Sequence, residues 1–260
     1  MPTLTLGKHN PRLSDIRRAV HDGSLTPDGL LPVEGTRLIE EAIRSGLEIP
    51  EAYCRRGDTV PALPPGCSVY ELEESGFRKI QSTETSQGVV ALVHIPRFQL
   101  SAITESGKGP IVVLAELQDP GNVGTILRAA ESFDAAGCVA LAGTASPYNP
   151  KSVRASAGSV FRLPHVWNVD ADETIDAFRK RGFRVVATGP AATASITTWN
   201  WQEPTAVLIG NEGSGVRPET LRRCDAALRI PHNPQVESLN SAVAAALVLY
   251  EAYRQRGGAE

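Results

Sequence analysis

Residues 111–133 read IVVLAELQDPGNVGTILRAAESF, and this stretch decides the fold. The run 111–117 is apolar and rich in β-branched residues, the pattern of a strand buried on both faces. Asp119-Pro120-Gly121 turns the chain. From Asn122 the period changes, and Ile126, Leu127, Ala130 and Phe133 share one face of a helix over 122–133. Strand, tight turn and helix in succession open a βα unit. Asn122 is a good N-cap type, and Arg128 follows six residues later. The segment therefore reads as a capped helix with a solvated arginine, or as a junction that holds a ligand.

The alternation continues outward on both sides. Downstream, apolar runs at 138–141, 184–188, 206–209 and 227–230 predict strands. Helices are expected at 151–159, 172–181 and 219–224, with a long one over 239–256. That last helix starts with the small residues SAVAAA, which let another backbone come close, and ends in the wet, basic YEAYRQR. Short strands separated by helices imply a mostly parallel sheet, whose ligands bind at the strand ends. Upstream, helices at 11–21, 36–45 and 71–79 alternate with strands at 30–33, 52–55, 68–71 and 89–94. The polar, Gly/Pro-punctuated stretch PRFQLSAITESGKGP (96–110) separates the two halves. The expected organisation is a first domain over 1–97, a linker over 98–110 and a second domain over 111–260.

Composition excludes several classes. With 42% hydrophobic and 21% charged residues among 260, the chain has ordinary globular usage and is neither disordered nor fibrous. No apolar run approaches the roughly 20 residues that cross a bilayer, and residues 1–10 lack the basic start and apolar core of a signal peptide. A cytoplasmic protein without membrane partners is expected. Cys54, Cys67, Cys138 and Cys224 are too widely spaced for a metal site or a disulfide scaffold, so no metal is expected. The net charge is −3, and neither half is basic: residues 1–104 hold 11 basic and 13 acidic side chains. Nucleic-acid binding by bulk charge is disfavoured, and any RNA site must rest on local arginines.

Three segments could carry chemistry, each at a strand-to-loop or loop-to-helix junction. LQDPGNVGTILR (117–128) is the first. In IGNEGSGVRPE (209–219), three glycines leave a strand and let the backbone approach a ligand closely. Their G-x-x-G-x-G spacing is neither a dinucleotide fingerprint nor a phosphate loop, which argues against a nucleotide-binding oxidoreductase. In RIPHNPQVESLNSAVAAA (229–246), a strand end opens into a polar loop, and Ser238 and Asn240 flank Leu239 at the mouth of the long helix. These two residues could simply cap that helix. A Ser238–His232 hydrolase pair lacks the Gly-x-Ser-x-Gly elbow that would support it.

Taken together and in this order, D-P-G-N with Arg128, G-N-E-G-S-G with R-P-E, and I-P…S-L-N closely resemble the three motifs of the SpoU/TrmH family. That family lies in the SPOUT superfamily of RNA 2′-O-ribose methyltransferases. The resemblance covers about residues 107–260. N-P-R-L at 10–13, V-E-G at 33–35 and S-T-E-T-S-Q-G-V at 82–89 are similar to the family's amino-terminal RNA substrate-binding domain.

The resemblance implies an α/β chain with a small amino-terminal α/β substrate-binding domain. A SPOUT α/β domain with a carboxy-terminal trefoil knot would follow, working as a homodimer through the methyltransferase domain. The implied methyl donor is S-adenosylmethionine, held at Gly210, Ile230 and Leu239, with Gly213 and Gly215 opening the loop. Arg128 matches the family's catalytic arginine, Asn122 its motif-one asparagine, Glu212 its motif-two glutamate, and Ser238 and Asn240 its motif-three polar pair. A guanidinium keeps its proton throughout the physiological range and is a poor base. Arg128 is therefore expected to hold the neighbouring phosphate and the developing alkoxide. One departure is visible: where many relatives continue V-S-V or V-A-V after S-L-N, this chain has Ser241-Ala242-Val243, a change that bears on helix packing.

For RNA contact the candidates are Arg12, Arg17 and Arg18 on the first helix, with Lys151 and Arg154 near the site. A separate amino-terminal domain is more typical of relatives that modify ribosomal RNA, so ribosomal RNA is expected ahead of transfer RNA. The alternatives are a transfer-RNA 2′-O-methyltransferase, or a non-catalytic RNA-binding or ribosome-assembly protein that keeps the cofactor pocket.

Overall fold

The computed structural model describes residues 4–7, 9–107, 109–189 and 192–258. They divide into two compact units, Met1–Arg97 with Ser146–Phe161, and Phe98–Ala145 with Arg162–Glu260.

The first unit runs β1 (Leu4–Thr5), α1 (Pro11–Asp22), β2 (Leu30–Glu34), α2 (Thr36–Arg44), β3 (Glu51–Arg55), β4 (Ser68–Leu72), α3 (Glu74–Phe77) and β5 (Val89–His94); from α1 onward the alternation is as expected, whereas the two-residue β1 was not anticipated. The sheet order is β1-β4-β3-β5-β2, with β5 antiparallel to both its neighbours and the remaining pairs parallel. α1 starts because Asn10 accepts from Arg12 N at 2.9 Å and Pro11 suits the first turn. It stops at Gly23, whose left-handed φ of 60° a side chain would resist. Leu13 and Ile16 on its inner face join Tyr53, Leu72, Phe77 and Leu92 in the core.

The second unit comprises α4 (Leu100–Thr104), β6 (Ile111–Ala115), α5 (Pro120–Ser132), β7 (Gly137–Leu141), β8 (His165–Val169), α8 (Ala171–Lys180), β9 (Arg184–Thr188), β10 (Ala194–Ser195), β11 (Thr205–Gly210), α9 (Pro218–Leu221), β12 (Ala226–Arg229) and α10 (Ser241–Gln255). Its seven strands are all parallel, in the order β10-β12-β9-β11-β6-β7-β8. β6 and β11 lie side by side at the centre, and every residue of both is buried. Among the described residues no helix is long and apolar enough to cross a membrane.

Several expectations shift in detail. Asn122 does not cap α5: the helix begins at Pro120, and Asp119 caps it by accepting from Gly121 N at 3.0 Å. Asn122 is thus the third helical residue, and its side chain is released for other contacts. The single helix expected at 151–159 is two, α6 (Pro150–Ser156) and α7 (Ser159–Arg162), because Ala157 adopts a left-handed φ of 48° between them. Ser146–Phe161, placed by sequence in the second domain, groups with the first unit. The expected linker 98–110 contains α4, whose Ile103 is fully buried in the second unit's core.

Candidate active site

The carboxyl ends of neighbouring parallel strands leave a crevice where ligands bind in open α/β sheets. Here the ends of β9, β11 and β12, with the loop 230–240 and the start of α10, bound a cleft of about 480 Å³. That volume suits a cofactor-sized molecule. Gly210, Ile230, Leu239, Gly213 and Gly215, the five residues expected to hold a cofactor, all line it, as do Glu212 and Ser238.

The loop after β11 needs its glycines for different reasons. At Gly210 an added Cβ would lie 2.5 Å from Gly215 C and 2.6 Å from Val216 N, so only glycine lets the loop fold back on the strand end. Gly215 has a left-handed φ of 67°, and an added Cβ there meets nothing within 4 Å. Asn211 and Gly215 close the turn through paired backbone hydrogen bonds of 3.1 and 3.0 Å. The cleft thus offers bare backbone at Gly210, Gly213 and Gly215 and apolar side chains at Ile209, Leu228, Ile230 and Leu239. Backbone groups that can read the edges of a purine and aliphatic side chains that can cover its faces fit S-adenosylmethionine.

Beside the cleft, hydrogen bonds join the three motifs. Asn240 caps α10, its Oδ1 accepting from Ala242 N at 2.9 Å and Val243 N at 3.2 Å. Its amide nitrogen must then point away from the helix, and it donates to Asn122 Oδ1 at 3.1 Å. Asn122 Nδ2 in turn donates to Glu212 Oε1 at 2.5 Å. Each amide has one orientation that satisfies its neighbours, so the helix terminus dictates the donor presented to Glu212. Ser241 Oγ ties the same helix start to Gly210 O at 3.0 Å. Ser238 takes no part in this chain of bonds. Arg128 is exposed on the solvent side of α5, opposite the buried Val123, Ile126 and Leu127, and it forms no ion pair among the described residues.

His232 lies in the cleft wall with its ring nitrogens facing Ile230 O at 2.7 Å and Val236 O at 3.1 Å. Neither nitrogen meets Ser238, so the paper possibility of a hydrolase pair has no geometric basis. Thr188 and Gly189, at the end of β9, also line the cleft and were missed by sequence reading. A Thr-Gly step closing an apolar run is the signal that could have found them.

The first-unit candidates separate. Arg12 binds Asp28 through both terminal nitrogens at 2.9 and 2.8 Å, and Glu51 through Nε and Nη2, each at 3.0 Å. The Asp28 bond leads in raising the guanidinium's pKa, and Arg12 in turn holds the Asp28 carboxyl well below its usual range. Arg12 is committed inside the unit, whereas Arg17 and Arg18 on α1 are exposed. Lys151 and Arg154 are exposed on α6, which belongs to this unit, and Arg154 Nη1 donates to Ser82 Oγ at 2.9 Å. The V-E-G and S-T-E-T-S-Q-G-V stretches are stitched together. Glu34 accepts from Ser82 N at 2.6 Å, Thr83 Oγ1 at 2.7 Å and Ser82 Oγ. Gln87 Oε1 accepts from Thr36 N at 2.9 Å and so caps α2, which Gly35 cannot.

Residues 109–250 match the SpoU rRNA methylase family, and residues 26–91 match the MRM3-like substrate-binding domain. The chain is 34% identical over 257 residues to an uncharacterised tRNA/rRNA methyltransferase of Synechocystis, covering 96% of this chain and 93% of that one. It is 32% identical to the Bacillus subtilis 23S rRNA (guanosine(2553)-2′-O)-methyltransferase RlmP, covering 93% and 95% of the two chains. Among solved structures, the SpoU methyltransferase AviRb of Streptomyces viridochromogenes in complex with AdoMet superposes with a TM-score of 0.81 at 27% identity. That match covers 97% of this chain and 100% of the other. The chain belongs to the SpoU rRNA methylase family.

Proposed function

We propose that this protein methylates a ribose 2′-hydroxyl of ribosomal RNA, using S-adenosylmethionine bound in the cleft at the ends of β9, β11 and β12. The observation that carries the reading is the chain of hydrogen bonds from Asn240 through Asn122 to Glu212, at the edge of a cleft lined by Gly210, Ile230 and Leu239. When bound, S-adenosylmethionine supplies an electrophilic methyl group.

The chain's residues then have separable tasks. Bare backbone at Gly210, Gly213 and Gly215, with Ile230 and Leu239, binds the cofactor. Asn122 and Asn240 orient Glu212, whose second carboxylate oxygen is left to accept a hydrogen bond from the ligands. Ser238, exposed in the cleft wall, offers a hydroxyl to the ribose. The 2′-oxygen releases its proton to solvent as it takes the methyl group, whose bond to sulfur breaks to leave the neutral thioether, and negative charge develops on the oxygen in passing. Arg128 has no carboxylate partner among the described residues and is available to hold the adjacent phosphate and that developing charge, a contribution of about 3–4 kcal/mol in enzymes with comparable donors.

Arg17, Arg18, Lys151 and Arg154 supply the RNA contacts of the first unit, by phosphate and 2′-hydroxyl recognition that needs few cations. Arg12 is set aside because two carboxylates hold it. We also infer a homodimer through the second unit: Val243, Leu247 and Tyr250 recur along one face of α10 and are 49, 40 and 48% exposed, an apolar stripe that a second copy would cover. The trefoil knot is inferred from family membership and from the return of the chain through 230–240 to the end of β11, where Ser241 bonds Gly210. Four free cysteines fit a reducing cytoplasm.

The test is incubation with methyl-labelled S-adenosylmethionine and separated ribosomal and transfer RNAs, then alkaline digestion. A 2′-O-methyl group blocks cleavage at its own phosphodiester, so an alkali-resistant labelled dinucleotide from ribosomal RNA is expected. Label found only in transfer RNA would overturn the substrate class. Absence of transfer to either RNA, despite cofactor binding, would make the protein a binding module.

A further inference from the structure

The loop 211–217 is held from outside as well as from within. Its own bonds, between Asn211 and Gly215 and from Gly213 N to Asn211 Oδ1 at 2.9 Å, set its shape but not its attitude to the sheet. Besides the bond from Asn122 to Glu212, the loop is tied to the sheet at Glu116, the residue after β6, on the strand beside β11. At the start of the loop, Asn211 Nδ2 donates to Glu116 O at 2.9 Å. At its end, Arg217 Nε lies 2.6 Å from Glu116 Oε1 and 2.8 Å from Oε2. Both ends of the glycine loop therefore close on one residue.

Glu116 occupies that place against its backbone preference. Its φ of 60° is left-handed, a region that glycine enters freely and a side chain with a Cβ does not. Its N–H donates to Thr144 Oγ1 at 3.1 Å, and Thr144 Oγ1 donates to Leu114 O at 3.2 Å, so the strained residue is anchored to its own strand. The carboxylate is what a glycine here would lack, and its partner is Arg217.

We propose that Glu116 is a positioning residue for the cofactor: through Arg217 and Asn211 it fixes the loop 211–217 over the cleft in the form that binds S-adenosylmethionine. A half-exposed ion pair adds little to folding stability. Holding a loop in its binding form, however, removes an ordering cost from the binding step. The effect belongs in cofactor affinity and not in the melting temperature. This inference rests on reading the cleft as the cofactor site.

The test measures calorimetric Kd for S-adenosylmethionine and S-adenosylhomocysteine with the full chain, its Glu116→Gln and Arg217→Gln variants, and the double variant. Each single change is expected to weaken both ligands about three- to tenfold, and the double change no more than either alone, because the two residues act as one contact. With saturating cofactor, kcat is expected to stay near the parent value. Glu116→Gly guards against misfolding: it relieves the left-handed strain and keeps the carbonyl, so it should melt with the parent yet bind as weakly as Glu116→Gln. Affinities within twofold of the parent, or a double variant equal to the product of the singles, would overturn the proposal. If the parent chain binds neither ligand, the reading of the cleft fails and this inference with it. If the parent binds and the variants bind equally, the positioning role alone is lost.

Discussion

Asn240 Nδ2 donates to Asn122 Oδ1 at 3.1 Å across 118 positions of sequence, and this bond joins the start of α10 to the first turn of α5. Asn240 serves two purposes at once, since its Oδ1 caps α10 and its amide nitrogen steers Asn122. An isosteric change separates them. Asn240→Asp keeps the cap, for aspartate caps as well as asparagine, but removes the donor. Stability is expected to stay within about 0.5 kcal/mol in urea melts, while methyl transfer falls about 10- to 100-fold, the scale of one missing active-site hydrogen bond. Asn122→Asp should do worse, because it sets a carboxylate against Glu212. An Asn240→Asp enzyme with parental turnover would remove the relay from the mechanism.

The arginines of α1 look alike in sequence and should behave differently. Arg12, only 22% exposed, bridges Asp28 and Glu51, so Arg12→Ala is expected to cost about 1–2 kcal/mol of stability. Arg17→Ala and Arg18→Ala should leave stability within about 0.5 kcal/mol. These two should instead weaken RNA binding and reduce the slope of log affinity against log salt by about 0.7 to 0.9 for each phosphate no longer neutralised. Filter binding across a salt series, beside urea melts, checks both halves. Equal salt slopes in parent and Arg17→Ala would remove that residue from the RNA surface.

How far the letters carry is visible strand by strand. β6 and β11 were legible because parallel strands buried on both faces read as unbroken apolar runs, IVVLA and TAVLIG. β8, HVWNV, was not anticipated: Asn168 has a left-handed φ of 60°, and the register with β7 shifts between Ala140 and Leu141. Asn122 reads as a cap on its own, but Asp119 followed by proline starts the helix earlier. The polar letters of the site stood out. The bonds that join them span 90 and 118 positions, a distance over which spacing carries no information. Glu116 was invisible, since a glutamate at a strand end looks like any surface charge until its φ and its partners are known.

Acid should loosen the first unit through Glu34. Burial pushes this carboxyl's pKa up, but hydrogen bonds from Ser82, Ser86 and Thr83 outweigh it and hold the net value below the ordinary one. A depressed folded-state pKa means that the unfolded chain takes up the proton first. The stabilisation is therefore full above the ordinary glutamate value and is lost as pH falls through the folded one. Glu34→Gln removes the charge at every pH. Its stability difference from the parent should be largest at neutral pH and shrink toward pH 3, followed by urea melts. A difference that stays constant with pH would show that Glu34 acts by shape alone.

The glycine loop offers a contrast between two positions held by the same residue type. At Gly210 an added methyl would lie 2.5 Å from Gly215 C and 2.6 Å from Val216 N, both backbone atoms that cannot swing aside. At Gly213 the nearest atom to an added methyl is Asn211 Oδ1 at 3.7 Å, an ordinary contact, and φ there is not left-handed. Gly210→Ala must therefore push the loop off the end of β11, and S-adenosylmethionine affinity should fall at least about a hundredfold, the effect of roughly 3 kcal/mol. Gly213→Ala leaves the fold of the loop intact, and any loss of affinity it causes reports direct crowding of the ligand, expected to stay within about tenfold. Calorimetric titration of both variants decides the matter. The reverse order of sensitivity would mean that the cofactor presses on Gly213, and that closure of the loop on β11 is not what shapes its site.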